Sequence, residues 1–525
     1  MTDKNQKYYF QKKIIGLLIL ILSTGFFIFN FSCSKKIDPE DVVVARVGND
    51  VITVGEFRRN YEFGLPHLKK GSDWKASYLD FMIKEKILSL EGYKLNLDNS
   101  KRVQQLENEL LDELLVEELF IKEVHDKIKI SPDDIREAVN KSKISWKLRY
   151  WVEPTLGYAN SVCQAMRQRG YSAVLEDIMN SNPEVELKPK DFESDYITWL
   201  EAPPEMLEAI KYLPVGEISD PIKLNGVYFI FQILDIRRKG VLEIEYADKA
   251  ESFRKILFYR QAAEDAARFV SEFMTPKNVT TKGDAFITLA DGLAEWKKKD
   301  KNKRKDFLEA IKNAEETEPS LFKLKKDLKK NLVNFEGGKW TTENFIKRLD
   351  TKAVKIEPEN KDQFRSQLNQ EIALEVRNHF FTKEAKKRKL QKSKNVKQQL
   401  QVWRDKWVYD EMRRKYTKDV KIKPKQAKKY FDKYKDRYKI RADDTPTYGE
   451  FKNQAKRDAY IQTTRALLNK KIDALKKTFP VTIYQNVLDT ITVVDSKKSR
   501  WMSLQVFKRS SGRLAHPLVD PAWGF

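Results

Sequence analysis

Residues 213–235 read LPVGEISDPIKLNGVYFIFQILD, and the fold is decided there. Gly216 follows an apolar helix end, where a chain reversal is wanted. Ile218 to Leu224 predicts a short strand, and Asn225-Gly226 is a strong two-residue hairpin signal. Val227 to Leu234 is an almost unbroken run of β-branched and aromatic residues, which suits a strand buried on both faces. Upstream, SDYITW (Ser194 to Trp199) precedes Pro203-Pro204 and a helix carrying Met206, Ile210 and Leu213.

These residues resemble the parvulin family of peptidyl-prolyl isomerases. That family runs G-G-D-L-G-W, then P-x-F-x-x-A, then L-x-x-G-E-I-S-x-P, then G-Y-H-I. This chain has SDYITW, PEMLEA (Pro204 to Ala209), LPVGEISDP (Leu213 to Pro221) and GVYF (Gly226 to Phe229). The resemblance covers Lys143 to Gly240 and implies a small α/β domain that lowers the ~18–20 kcal/mol barrier to X–Pro rotation. The family's site holds two histidines, whose places here fall to Tyr150, in LRYWV, and Tyr228. The chain's histidines, His67, His125, His379 and His516, all lie outside the segment. The resemblance places the substrate pocket at Ala202, Met206, Trp199 and Phe229. A tyrosine titrates near pH ~10, so a Tyr150–Tyr228 pair is expected to act as fixed hydrogen-bond partners and not as a general acid or base. Catalytic residues are therefore not assigned. An active isomerase remains the alternative.

The remaining composition sets the frame. A chain of 525 residues is too long for a single core. Hydrophobic residues at 41% with charged residues at 34% suit helical domains rather than disorder. A net charge of +23 suggests nucleic acid in a cytoplasmic protein, but the N-terminus points elsewhere. Lys4, Lys7, Lys12 and Lys13 precede the apolar run Ile14 to Phe29, and Cys33 follows it. Basic flank, apolar run and a cysteine at the cut resemble a bacterial lipoprotein signal, with Cys33 lipidated. An uncleaved membrane anchor is the alternative. With Cys33 lipidated, Cys163 has no internal disulfide partner, and its helical spacing with Ala159 and Met166 predicts a buried small side chain. No metal-ligand cluster, Gly-rich phosphate loop or Ser/His/Asp arrangement is present, so no cofactor or metal is expected.

Along the chain, Val42 to Val54 reads as a hairpin around Gly48-Asn-Asp, followed by helices near 56–63, 74–93 and 99–127 and a fourth capped by Ser131 with Pro132 first. This block resembles the N-terminal chaperone domain of SurA-type periplasmic foldases. After the parvulin-like segment a helix over 247–274 returns the chain, and Val279 and Ala285 to Leu289 read as short strands. The second half then repeats the first. Residues 337–345 echo 48–57, Lys389 to Leu400 echo Leu95 to Leu106, and VKIKP (Val420 to Pro424) echoes IKISP (Ile128 to Pro132). Three such runs keep one order at an offset of about 290. In this copy Val396, Leu400, Trp403, Trp407 and Met412 form a stripe that reads as core.

The expected fold is α+β and mostly helical, with two repeated helical lobes and a parvulin-like domain inserted in the first. The domains run 1–33 signal peptide, 34–142 first lobe, 143–240 parvulin-like domain and 241–295 return helix completing lobe 1. They continue with 296–330 Lys-rich connector, 331–430 second lobe, 431–495 return helix and strand completing lobe 2, and 496–525 tail. The expected function is that of a periplasmic folding factor of the SurA and PrsA kind. Its partners would be unfolded or nascent exported polypeptides and, through Cys33, the membrane, the outer one in preference to the inner. Nucleic acid is not an expected partner. A second alternative makes it a lipoprotein that binds anionic envelope polymer or lipid headgroups.

Overall fold

The structure is a computed structural model that describes residues 38–69, 71–181, 188–199, 201–299, 306–351, 354–355, 358–441, 443–493, 514 and 516–525. The apolar run ending at Cys33 lies outside them. Among the described residues no helix is long and apolar enough to cross a membrane. The chain divides into two compact units, one built from residues up to Glu123 and from Val270 onward, the other from Val124–Phe269.

The first copy opens with a hairpin, β1 (Val43–Val47) and β2 (Asp50–Thr53). Thr53 caps α1 (Val54–Phe63) by accepting the Glu56 amide. Then come α2 (Trp74–Lys94), α3 (Lys101–Glu123) and α4 (Pro132–Lys141), the last held by a Ser131/Asp134 capping box. The insert follows as β3 (Ile144–Glu153), α5 (Leu156–Arg169), α6 (Tyr171–Ser181), β4 (Ile197–Thr198), α7 (Pro204–Ile210), β5 (Ile222–Leu224) and β6 (Val227–Arg238). The return helix α8 (Glu243–Met274) leads to β7 (Thr280–Thr281), α9 (Gly283–Lys299), α10 (Phe307–Lys312) and α11 (Pro319–Asp327). The second copy is β8 (Asn331–Phe335), β9 (Gly338–Thr341), α12 (Thr342–Ile346), α13 (Lys361–Lys387), α14 (Lys394–Thr417), α15 (Pro424–Lys433), α16 (Tyr448–Leu475), β10 (Val481–Ile483) and α17 (Gln485–Thr490).

The copies repeat down to single residues. Thr341 caps α12 as Thr53 caps α1. Lys389 (φ +59°) takes the left-handed conformation before α14 that Asn96 (φ +55°) takes before α3. Ser393 Oγ accepts the Val396 amide as Ser100 Oγ accepts that of Val103. The register is therefore Asn96 to Lys389, one residue later than the run-for-run match of Leu95 with Lys389.

The sheets are exchanged between the copies. Strand order is β10-β1-β2 in one sheet and β7-β8-β9 in the other, all antiparallel. Each strand after a return helix completes the hairpin of the other copy, so 241–295 does not complete lobe 1 and 431–495 does not complete lobe 2. A short strand offers the same ladder to either hairpin. The 32 residues of α8 span about 48 Å. The first core accordingly gathers Val44, Ile52, Phe57, Tyr78 and Leu79 with Tyr409 and Met412 of α14, Leu468 and Ile472 of α16, and Trp523 of the tail.

Three further expectations need correction. Ala285 to Leu289 is helix, and the described parts of 296–330, residues 296–299 and 306–330, are packed core and no connector. Ala285, Leu289, Leu293 and Trp296 recur at helical spacing on α9 and are buried with Phe307, Ile311, Leu321 and Leu324 around β8 and β9. The lysines occupy the other face and mask the apolar periodicity. The strand expected within 431–495 is confined to Val481–Ile483, and α17 begins at Gln485.

In the second unit the four-stranded sheet has order β4-β3-β6-β5 and is antiparallel throughout. Asn225 and Gly226 have φ of +54° and +86°, the two-residue turn their sequence predicts. Gly216 turns the chain with φ +91°. Cys163, Met166, Tyr171 and Val174 of α5 and α6 cover one face through Ile230. The ends of the insert leave side by side: the Lys239 amide donates to the Lys143 carbonyl at 3.0 Å, and Lys143 Nζ pairs with Glu245 at 2.7 Å. The whole is a mostly helical α+β protein.

Candidate functional site

The parvulin-like sheet sets its side chains by register. Tyr150 pairs with Phe231, Val152 with Phe229 and Glu153 with Tyr228. Opposed residues share a face and successive residues alternate. Tyr150, Phe229 and Phe231 therefore line one face, while Tyr228 lies on the other. The Tyr150 and Phe229 ring centroids are 6.4 Å apart, and Phe229 stacks on Phe231 at 5.8 Å. Tyr228 instead lies under Lys223 Nζ at 5.9 Å. The expected tyrosine pair does not form, because an odd number of steps separates the two positions along the ladder. Among the described residues neither hydroxyl finds a hydrogen-bond partner. Burial pushes the Tyr150 phenol above its ordinary value of 10.

The pocket residues are closed. Ala202, Met206 and Phe229 are 1%, 5% and 5% exposed. Trp199 has the Arg260 guanidinium of α8 4.5 Å from its ring and Lys141 Nζ of α4 at 5.4 Å. Arg260 also donates to the Trp199 carbonyl at 2.7 Å and the Ala202 carbonyl at 3.2 Å. Trp199 thus packs with Ile135, Val139 and Phe253, and serves as a joint between the insert and its two supporting helices. Cys163 is buried, donates to the Ser219 carbonyl, and burial raises its thiol.

A second site lies in the other unit and has no local sequence signature. Helices α1, α2, α14 and α16 form a seat that holds the C-terminal segment. Asn60 Nδ2 donates to the Pro517 carbonyl at 3.1 Å, and Asn60 Oδ1 accepts the Val519 amide at 3.0 Å. The buried Tyr78 hydroxyl donates to the Asn60 backbone carbonyl at 2.7 Å and lies 3.2 Å from the Asn60 Oδ1 that holds Val519. Glu85 Oε1 accepts the Asp520 amide at 2.6 Å and the Trp523 indole at 3.3 Å, while its other oxygen meets Lys406 Nζ at 2.6 Å. The Tyr409 hydroxyl and Arg413 reach Asp520 Oδ2 at 2.9 and 3.1 Å. His67 Nε2 lies 3.0 Å from the Pro521 carbonyl, and Arg465 donates to the Trp523 and Phe525 carbonyls. Burial pushes the Glu85 carboxyl up, against the pull of Lys406. A cavity of about 60 Å³ lies beside the segment, lined by Glu56, Lys86 and Asp405 among others. Among the described residues no group of three His, Cys, Asp or Glu side chains is arranged to hold a metal ion.

No protein-family model and no curated protein matches the chain. Solved structures do. A peptidylprolyl isomerase, PrsA, from Bacillus cereus is 17% identical over 43% of this chain and 87% of its own, with a TM-score of 0.20. One of two SurA-like chaperones from Campylobacter jejuni is 15% identical over 46% of this chain and 100% of its own, with a TM-score of 0.18. PrsA from Bacillus subtilis is 19% identical over 43% and 89%, with a TM-score of 0.16.

Proposed function

We propose that the chain is an extracytoplasmic folding factor of the SurA and PrsA kind, which holds unfolded or nascent exported polypeptides and does not turn over prolines. The observation that carries this reading is the face of the parvulin-like sheet. It holds Tyr150 half-buried beside the buried Phe229 and Phe231, with no group on it that changes charge near neutral pH. Such a face supports neither proton transfer nor tunable polarisation. The edge strands β4 and β5 offer backbone for strand addition. With no nucleotide site in the sequence, holding is passive and follows mass action. Membrane attachment is proposed to run through lipid on Cys33, on the periplasmic side of the envelope and at the outer membrane in preference to the inner. A second hydrophobic signal or acyl chain is needed for stable anchoring. Mass spectrometry of the membrane form, with Cys33→Ser as control, tests that assignment; an intact Met1 terminus overturns it.

The functional test joins two assays on the full chain. Aggregation of a reduced, unfolded client is suppressed at near-stoichiometric ratio, while a protease-coupled X–Pro tetrapeptide assay stays at background. Tyr150→Phe and Tyr228→Phe leave both unchanged. Acceleration of the tetrapeptide reaction that is lost in Tyr228→Phe overturns the reading.

A further inference from the structure

We propose that the seat for residues 516–525 is a client-binding site, and that the C-terminal segment is its tethered occupant, displaced when a client segment of like chemistry arrives. This deepens the chaperone reading and rests on it.

The segment is held as a bound peptide is held. Pro517 to Asp520 joins no sheet ladder; its backbone is gripped by side chains, with Asn60 clasping the Pro517 carbonyl and the Val519 amide from one amide group. Glu85, His67 and Arg465 take further main-chain groups. Backbone contacts of this kind carry no sequence information, which suits a site that receives many chains. Side chains add a coarse selection. Val519 and Trp523 are both 3% exposed, and Asp520 meets Tyr409 and Arg413. A Cβ on Gly524 would lie 2.7 Å from Leu68 Cδ2 and 2.9 Å from His67 Cδ2, so the turn after the tryptophan is tightly enclosed.

The favoured occupant is a short extended segment with an aliphatic residue, an acid next to it, and an aromatic one turn later. The cavity of about 60 Å³ beside Val519 is bordered by Glu56 and Lys86. Tethering gives the tail a high effective concentration, up to the millimolar range for short flexible linkers. A free segment therefore binds weakly until the tail is weakened.

The test uses a fluorescent peptide of residues 514–525, a scrambled control, and the full chain carrying Trp523→Ala or Asp520→Ala. Each variant is expected to bind the peptide at least tenfold more tightly than the wild type and to gain melting temperature on binding. The scrambled peptide is expected to do neither. Asn60→Ala added to Asp520→Ala is expected to abolish binding. Reduced, carboxymethylated α-lactalbumin, a soluble unfolded chain, is expected to compete the peptide off the variants. Equal and negligible peptide binding by wild type and both variants overturns the proposal. So does peptide binding that the unfolded chain does not compete. Should Trp523→Ala fail to fold, Asp520→Ala carries the test alone. Tail exchange is absent but the function stands if the wild type suppresses aggregation and the variants bind no peptide. The function fails separately if the variants bind the peptide and neither they nor the wild type holds any unfolded chain.

Discussion

Ala45 of the first copy pairs with Ile483 of the second, so neither hairpin is completed by its own copy. The exchange extends beyond the sheets. Val103, Leu110 and Leu114 of α3 bury against Val396, Trp407 and Val408 of α14, the equivalent helices of the two copies packing on each other. Ion pairs follow the same seam: Lys86 reaches Asp405 at 2.8 Å, and Arg404 Nε reaches Glu107 at 2.9 Å. The unit is built as a pair of interlocked halves on one chain.

Such halves depend on each other for folding. Separate expression of residues 38–299 and 306–525 is expected to give insoluble or unfolded products, because each leaves a two-stranded hairpin without its third strand. Co-expressed, they are expected to copurify as a 1:1 complex with one cooperative melt. Size-exclusion chromatography with light scattering checks this. A folded, monomeric 38–299 fragment on its own would argue against the interlocked arrangement.

Close approach of α2 and α14 depends on Gly92. A Cβ there would collide with Val408 Cγ1 and lie 3.3 Å from its carbonyl oxygen. Alanine gains about 0.5–1 kcal/mol of helix propensity over glycine, but overpacking costs about 1–3 kcal/mol. Gly92→Ala is therefore expected to destabilise by about 1 kcal/mol, read as a lower urea midpoint at unchanged slope.

Signals confined to a few residues were legible in the sequence. The Asn225-Gly226 turn, the Ser131-Pro132 helix start and the Gly216 reversal each act over one or two peptide units, and each stands where the pattern puts it. The helical stripe on α14 is core, as its spacing implies. What escaped depends on distant pairing. The exchange of β7 and β10 has no local mark, because either hairpin satisfies either strand. The Tyr150 and Tyr228 positions look paired by motif, yet ladder register puts them on opposite faces. Asn60 and Glu85 are ordinary helix residues until the tail arrives beside them. The buried side of 296–330 was hidden by lysines that belong to its exposed side.

The repeat provides its own control for backbone strain. Lys389 holds φ +59° where the first copy has Asn96 at +55°. The left-handed conformation costs a side chain with a Cβ about 1–2 kcal/mol, and asparagine tolerates it best after glycine. Lys389→Asn is expected to stabilise by about 0.5–1 kcal/mol. Asn96→Lys is expected to destabilise by a similar amount, and thermal melts of the two variants give the comparison.

Glu245 ties the two ends of the insert and has a pH signature. Hydrogen bonds from Lys143, Lys249 and the Leu242 amide lower its carboxyl from the ordinary 4.5 to about 2. A depressed carboxylate stabilises the fold fully above its unfolded value and loses that contribution as pH falls through the folded one. The stability advantage of the wild type over Glu245→Gln is thus expected to be constant above pH 5 and to shrink between pH 4.5 and 2. Melts across that range measure it, and an advantage that persists unchanged to pH 2 would remove Glu245 from this role.

Deletion of residues 143–240, joining Ser142 to Val241, tests whether the insert is independent of its supporting helices. The second copy already shows the joined form. There α15 meets α16 directly, with Ala427, Tyr430 and Phe431 buried against Ala455 and Ala459, and the Tyr438 hydroxyl donates to Asp458 at 2.9 Å. In the first copy Ile135, Ala138 and Val139 meet Phe253 in the same way, with Trp199 of the insert packed alongside. The ends to be joined already lie together through the hydrogen bond from the Lys239 amide to the Lys143 carbonyl. Loss of Trp199 removes packing from α4 and α8, and loss of Lys143 leaves Glu245 with Lys249. The deletion is therefore expected to fold, with a cooperative melt from the interlocked halves and faster amide exchange confined to α4 and the first turns of α8. A melt that loses cooperativity would instead mean that the insert is required for the halves to interlock.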